Sequence, residues 1–182
     1  MLHAIEALRS HKEASRLIDA CGSNVELTVL GEICGVEFKG RLDGLAPEAI
    51  VDLKTTTSVE PSQFGRSFAN LHYGIKLAIY RDLIRQSIAD RDVVVIAQET
   101  SGDFDTVVYD VPICVLDNGL IKAKRIIEDY KHALKTGDWC GVDRGQTRLP
   151  LLVPQWAMED SGDELVEWSD VPAYDSQTEP VF

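Results

Sequence analysis

Residues 25–56 constrain the fold more than any other stretch. They read VELTVLGEICGVEFKGRLDGLAPEAIVDLKTT, three β-rich runs with only short breaks between them. Alternation with a period of two puts Val25, Leu27 and Val29 on one side of a first strand. A turn near Gly31 to Gly35 leads to a second strand through Val36, Phe38 and Leu42, closed by Asp43. Gly44 to Pro47 is a turn, and AIVDLKT is a third, β-branched strand. Breaks this short join only antiparallel neighbours, because a parallel return needs about a dozen residues. A doubly wound sheet, with a helix after every strand, is excluded.

The flanking segments are helical or strand-like in turn. Residues 4–20 carry Ile5, Leu8, Leu17 and Ile18 in a loose helical period that ends near Gly22. After the polar connector TTTSVEPSQ, one long amphipathic helix is predicted from Phe64 to Ile88, with the stripe Phe68, Leu71, Ile75, Ala78, Ile79 and Leu83. DVVVIAQE reads as a buried strand, SGDFD as a tight turn and TVVYDV as the returning strand. A last helix is expected from Val115 to Lys135, with Ile121, Ile126 and Leu134 inward. The order α–β–β–β–α–β–β–α predicts an α/β (α+β) domain, a mixed central sheet flanked by helices. LPLLVPQWA reads as an extended apolar piece packed on that body, giving a domain over residues 1–157. Residues 158–182 are acidic and poor in apolar side chains, and are expected to be disordered.

Charge limits the partners less than the total suggests. The 182 residues carry a net charge of −12, yet eight acids lie after Arg148 and no Lys or Arg does. Removing those eight leaves 22 acids against 18 bases, a net of −4 for the body, so a nucleic-acid partner stays open. No apolar run approaches the roughly 20 residues of a membrane span. The start, MLHAIEALRSHKEASRL, is charged and amphipathic, unlike a secretory signal. Cys21, Cys34, Cys114 and Cys140 form no CxxC pair, so neither a zinc ribbon nor a cysteine-bound cluster is signalled. Reduced thiols and a cytoplasmic location are the expectation. There is no P-loop and no GxSxG.

The stretch that carries chemistry is GRLDGLAPEAIVDLKTTT. Asp52 and Lys54 stand two apart on one strand and leave the same face. Asp43 lies on the preceding strand, whose short connection brings it alongside. Taken alone, a D-x-K pair is most often a surface ion pair. Here two carboxylates and an ammonium converge, and a hard divalent cation such as Mg²⁺ resolves the repulsion of the acids. A lysine beside a metal-bound water orients it and stabilises charge on a phosphorane-like oxygen. Such a set hydrolyses phosphodiesters without a nucleophilic side chain.

At these residues the chain resembles the PD-(D/E)xK nuclease superfamily, with its restriction-endonuclease-like core, and within it RecE-type (exonuclease VIII-like) and RecB-like phage exonucleases. The likeness rests on GRLD (Gly40 to Asp43), VDLKT (Val51 to Thr55), Phe64, HYGIKLAIY (His72 to Tyr80), VVVIAQET, YDVP and GDW (Gly137 to Trp139), with LPLLVPQWA after them. It implies an ATP-independent DNA exonuclease that uses Mg²⁺, with Mn²⁺ as a substitute, and degrades duplex ends from the 5′ side. It further implies a homo-oligomeric ring, trimer or tetramer, and a single-strand annealing protein as partner. Carried over by position, Asp43 and Asp52 are metal ligands with the Leu53 carbonyl, Lys54 is the catalytic lysine, and Glu26 matches an acidic position near the metals.

DNA contacts are expected from Arg41, Thr55, Arg66, Tyr73 and Lys76, with Lys39, Arg81 and Arg85 gathered toward the same face. The chain departs from its relatives at Lys76, where the Tyr-x-x-Gln pattern has glutamine, and in having only His3 and His11 near the position of an upstream metal-binding histidine. Tyr73 and Tyr80, seven apart, share a helix face and are expected to brace the core. Two other functions fit the same core: a weakened nuclease fold that binds DNA ends or a partner, and a structure-selective endonuclease.

Overall fold

A computed structural model of the chain describes residues 2–139 together with 141, 148 and 151. The tail at 158–182, and the apolar piece before it apart from Leu151, lie outside the described residues. All elements below belong to the compact unit that ends at Asp138.

The chain opens with α1 (Leu2–Ser10) and α2 (Lys12–Cys21), followed by β1 (Val25–Ile33), β2 (Val36–Leu45) and β3 (Ala49–Thr56). Then come α3 (Pro61–Asn70), α4 (Tyr73–Ser87), β4 (Asp92–Glu99), β5 (Thr106–Asp110) and α5 (Ile113–Thr136). The five strands form one sheet in sequence order. The pairs β1/β2, β2/β3 and β4/β5 are antiparallel, while β3/β4 is parallel across the α3–α4 crossover. This is the mixed sheet flanked by helices that the sequence predicts.

Four local expectations are corrected. The β1/β2 turn is only Cys34–Gly35, both with positive φ (52° and 78°), which suits the right-handed twist of a two-residue hairpin. Gly31 stays inside β1, where Leu83 and Gln86 of α4 press on it. The helix expected over residues 4–20 breaks at His11, whose Nδ1 accepts the Ala14 N–H and caps α2. The helix expected from Phe64 to Ile88 also breaks, at Leu71–His72, where His72 takes φ 55° and the chain restarts as α4. Leu71 is left exposed as a result.

The fourth correction concerns α5. Ile121, Ile126 and Leu134 are exposed, and the buried face is Leu116, Gly119, Ala123 and Ile127. Close approach decides this. A Cβ at Gly119 would lie 2.3 Å from the Gly74 carbonyl oxygen and 3.1 Å from the Ala78 methyl, so α4 and α5 touch backbone to backbone. No side chain fits at position 119 itself, and Leu116 and Ile127 fill the seam on either side of it.

The sheet is covered on both faces. Toward α3, α4 and α5 it presents Leu42, Ile50, Val93, Val95 and Ala97, packed on Phe64, Leu77, Ile84 and Leu116. On the other face Val51, Val94 and Ile96 meet Ala14, Leu17 and Cys21 of α2. The β3–α3 connector is fixed at Val59. Its N–H donates to Glu99 Oε1 at 3.1 Å, and its carbonyl accepts from the Tyr109 hydroxyl. Glu60 then caps α3 by accepting the Gln63 N–H at 3.0 Å; the Ser62 hydroxyl above all, with the Ser62 and Gln63 amides, holds its carboxyl below the usual range.

Two glycines make opposite predictions. Gly119→Ala is expected to lower stability by about 1–3 kcal/mol through overpacking, although alanine is the better helix former. Gly65→Ala, on α3 with nothing within 4 Å of the added methyl, is expected to raise it by roughly 0.5–1 kcal/mol. Thermal denaturation followed by circular dichroism measures both.

Candidate active site

The site begins where two strands part. β2 and β3 pair only at Gly44↔Val51 and Leu45↔Ile50, and the ladder stops one step before Asp43 would face Asp52. The strands are also distorted there. Leu42 belongs to the core beneath α4, whereas a Cβ at Gly44 would strike Cys21 Sγ of α2 at 2.6 Å. Residues two apart should share a face, so the alternation shifts by one residue at Asp43. Opposite it, Glu26 of β1 takes φ 52°, a left-handed backbone rare for a residue with a Cβ. The Asp43 carboxylate replaces the missing ladder bond by accepting the Leu53 N–H through Oδ2 at 2.8 Å. The fork therefore turns Asp43 toward β3.

Asp52 lies at the base of this fork and is 1% exposed, the only charged side chain buried among the described residues. A carboxylate withdrawn from water needs cations or donors nearby. Two ammoniums supply them: Lys54 Nζ donates to Oδ2, and Lys76 Nζ, from α4, donates to Oδ1 at 3.0 Å. Lys54 Nζ also reaches the Leu53 carbonyl at 3.4 Å. Burial pulls the Lys76 pKa down, but the hydrogen bond and charge of Asp52, helped by Tyr80 and Asp43, hold it above the ordinary lysine value.

Each ammonium rests against a tyrosine. Lys54 Nζ stands 5.0 Å from the Tyr73 ring centre, and Lys76 Nζ stands 5.1 Å from that of Tyr80. Tyr73 is held edge-on to Phe68 at 5.8 Å. Tyr80 fits because residue 40 has no side chain, since a Cβ there would lie 2.8 Å from the ring. Tyr80 is the site residue that the sequence reading treated only as core bracing. Its signal was its spacing, four residues after Lys76 on one helix.

The other expected residues are placed elsewhere. Glu26 pairs with Arg41 at 2.8 Å, and both are mostly exposed. Arg41 and Lys39 alternate with Gly40 and Leu42, so they leave the sheet on the face away from α4. Thr55 likewise points to the face opposite Lys54. Arg66 is exposed on α3. Arg81 and Arg85 both pair with Asp90, at 2.5 and 3.9 Å. Each of these arginines pairs with a local acid, Arg41 with Glu26 and Arg81 and Arg85 with Asp90. His3 lies on the surface beside Glu6, and His11 is the α2 cap.

The donors at the fork are hard oxygens: the Asp43 and Asp52 carboxylates and the Leu53 carbonyl. Among the described residues no cluster of three or more His, Cys, Asp or Glu side chains suits a metal. Two carboxylates are nonetheless what Mg²⁺ commonly takes from a protein, with water and phosphate oxygens completing its shell. The two ammoniums drawn onto Asp52 show that the position demands positive charge. The set therefore fits a small divalent cation. An apolar cleft of about 420 Å³, walled by Phe64, Phe68, Val111 and Val115, lies between α3 and α5, and neither Asp52 nor either lysine lines it.

Comparison with known proteins agrees with this fold. Among solved structures, the chain is similar to one from Eubacterium rectale described as a "Putative exonuclease". The two are 19% identical, with a TM-score of 0.60, over 84% of this chain and 62% of that one. At that identity the likeness shows the fold. A second structure, SSO0001, is 18% identical over 69% of this chain and 57% of that one, with a TM-score of 0.43. The chain thus spans about six-tenths of the length of the solved proteins it resembles. No curated protein matches it in sequence. No helix among the described residues is long and apolar enough to cross a membrane. The family model of the PDDEXK-like domain of unknown function (DUF3799) matches residues 1–143, and the chain belongs to that family.

Proposed function

We propose that the chain is a divalent-metal-dependent deoxyribonuclease that hydrolyses phosphodiester bonds at duplex ends. One observation carries the reading: Asp43, Asp52 and Lys54 converge at the fork of β2 and β3, with Asp52 buried and paired with lysine. Asp43 and Asp52 would hold Mg²⁺ with the Leu53 carbonyl, and Mn²⁺ would substitute. When bound, the ion neutralises phosphate charge and lowers the pKa of water. Lys54 is fixed between Asp52 and the Leu53 carbonyl, with the Tyr73 ring at its side. From there its ammonium orients the attacking water and stabilises charge growing on the phosphoryl oxygen. The distant likeness to a protein described as an exonuclease supports action at ends. A ring-shaped oligomer and a single-strand annealing partner belong to the same proposal.

One observation favours a second reading, a DNA-end-binding module with little turnover. Lys76 neutralises the carboxylate that the metal needs.

End-labelled linear duplex incubated with Mg²⁺ separates the two. Nucleotide release that falls by at least about 10²-fold in Lys54→Ala and in Asp52→Asn is the expected outcome. Release unchanged by Lys54→Ala removes the mechanism, and binding without product in either Mg²⁺ or Mn²⁺ selects the second reading. Covalently closed duplex circles are expected to stay intact. Circles that are cut would make the enzyme an endonuclease.

A further inference from the structure

The two lysines on Asp52 are not equivalent. Lys54 is a neighbour of Asp52 on β3, its side chain is only 12% exposed, and it also contacts the Leu53 carbonyl. Lys76 arrives from α4, 24 residues away in sequence, with a side chain 38% exposed and a path to solvent. It occupies Asp52 Oδ1 at 3.0 Å and is steadied by the Tyr80 ring. With both lysines in place, two carboxylates face two ammoniums and the cluster is neutral. Its pull on a dication is correspondingly weak.

We propose that Lys76 is a resident counter-cation of the site, holding the Asp52 oxygen that a divalent ion would take and competing with that ion for it. The inference rests on the reading of Asp43 and Asp52 as metal ligands and concerns how readily they load. Metal entry requires Lys76 to let go of Oδ1 and swing toward solvent, which its exposure allows and the strand-bound Lys54 cannot match. Both Asp52 oxygens are already paired with ammoniums, Oδ2 with Lys54 and Oδ1 with Lys76. A neutral residue at position 76 would leave Oδ1 open and the cluster at a net charge of −1.

Mn²⁺ alone is the probe. Calorimetric titration of the full chain is expected to give a dissociation constant roughly tenfold smaller for Lys76→Gln, and for Lys76→Met, than for the native sequence. Lys76→Arg, which keeps the charge, should stay near the native value. Thermal denaturation gives an independent readout, since an ion that binds the folded state more tightly raises the melting temperature further. Added Mn²⁺ should therefore stabilise Lys76→Gln more than the native chain. Lys76→Gln and Lys76→Met that fold but bind Mn²⁺ no more tightly than the native chain overturn the inference. If Lys54-dependent cleavage persists in that case, the nuclease reading stands without it. Tighter Mn²⁺ binding in Lys76→Gln with no cleavage by any form supports the inference and removes the nuclease. Absence of Mn²⁺ binding in every form overturns both.

Discussion

A carboxylate that water cannot reach organises this molecule. Asp52 sits in the sheet with 1% exposure, where an unpaired negative charge would cost several kcal/mol. Everything around it answers that demand. Lys54 comes from the same strand, Lys76 from the helix above, and each ammonium lies beside a tyrosine ring. The parting of β2 from β3 makes the space, and Asp43 closes it by bonding the Leu53 amide. A hydrophobic residue at position 52 would fill the sheet at least as well. The charge is retained at the one point where the strands separate, which is a chemical rather than a packing choice.

The scaffold explains how the charges keep their places. The first half of β3, Ala49–Asp52, and the β4 residues beside it are buried on both faces, by α2 on one side and α3 to α5 on the other. Such a strand cannot slide without moving every side chain to the wrong face. Asp52 and Lys54 are thus set to the register of β3, while Lys76 is set by α4. The backbone contact of Gly74 with Gly119 braces α4 against α5, two residues before Lys76. The geometry of the cluster depends on two elements whose own positions are independently fixed.

Much of this could be read from residues alone. D-x-K in a β-branched run gives both orientation and chemistry, because strand periodicity dictates that Asp52 and Lys54 emerge together. The hairpin and the mixed sheet followed from break lengths too short for crossovers. What could not be read was decided by non-local contact. The breaks at His11 and His72 interrupt helices whose apolar period runs on across them. The buried face of α5 is set by the close approach of Gly119 to Gly74, which turns Leu116 and Ile127 inward in place of Ile121, Ile126 and Leu134. Lys76 stood out as a departure from a pattern, yet its partner, 24 residues earlier, could be found only once α4 lay over the sheet. Basic residues counted toward a DNA-facing surface proved to have local acidic partners, Glu26 for Arg41 and Asp90 for Arg81.

The tether at Val59 has its own consequence. Glu99 holds its amide and Tyr109 holds its carbonyl, so the segment leaving β3 is stitched to β4 and β5 at a single residue. Slack that would otherwise gather in the loop behind Lys54 is taken up there. A load placed on the end of β3 is therefore passed to β4 and β5 as well, and is shared across three strands instead of fraying one.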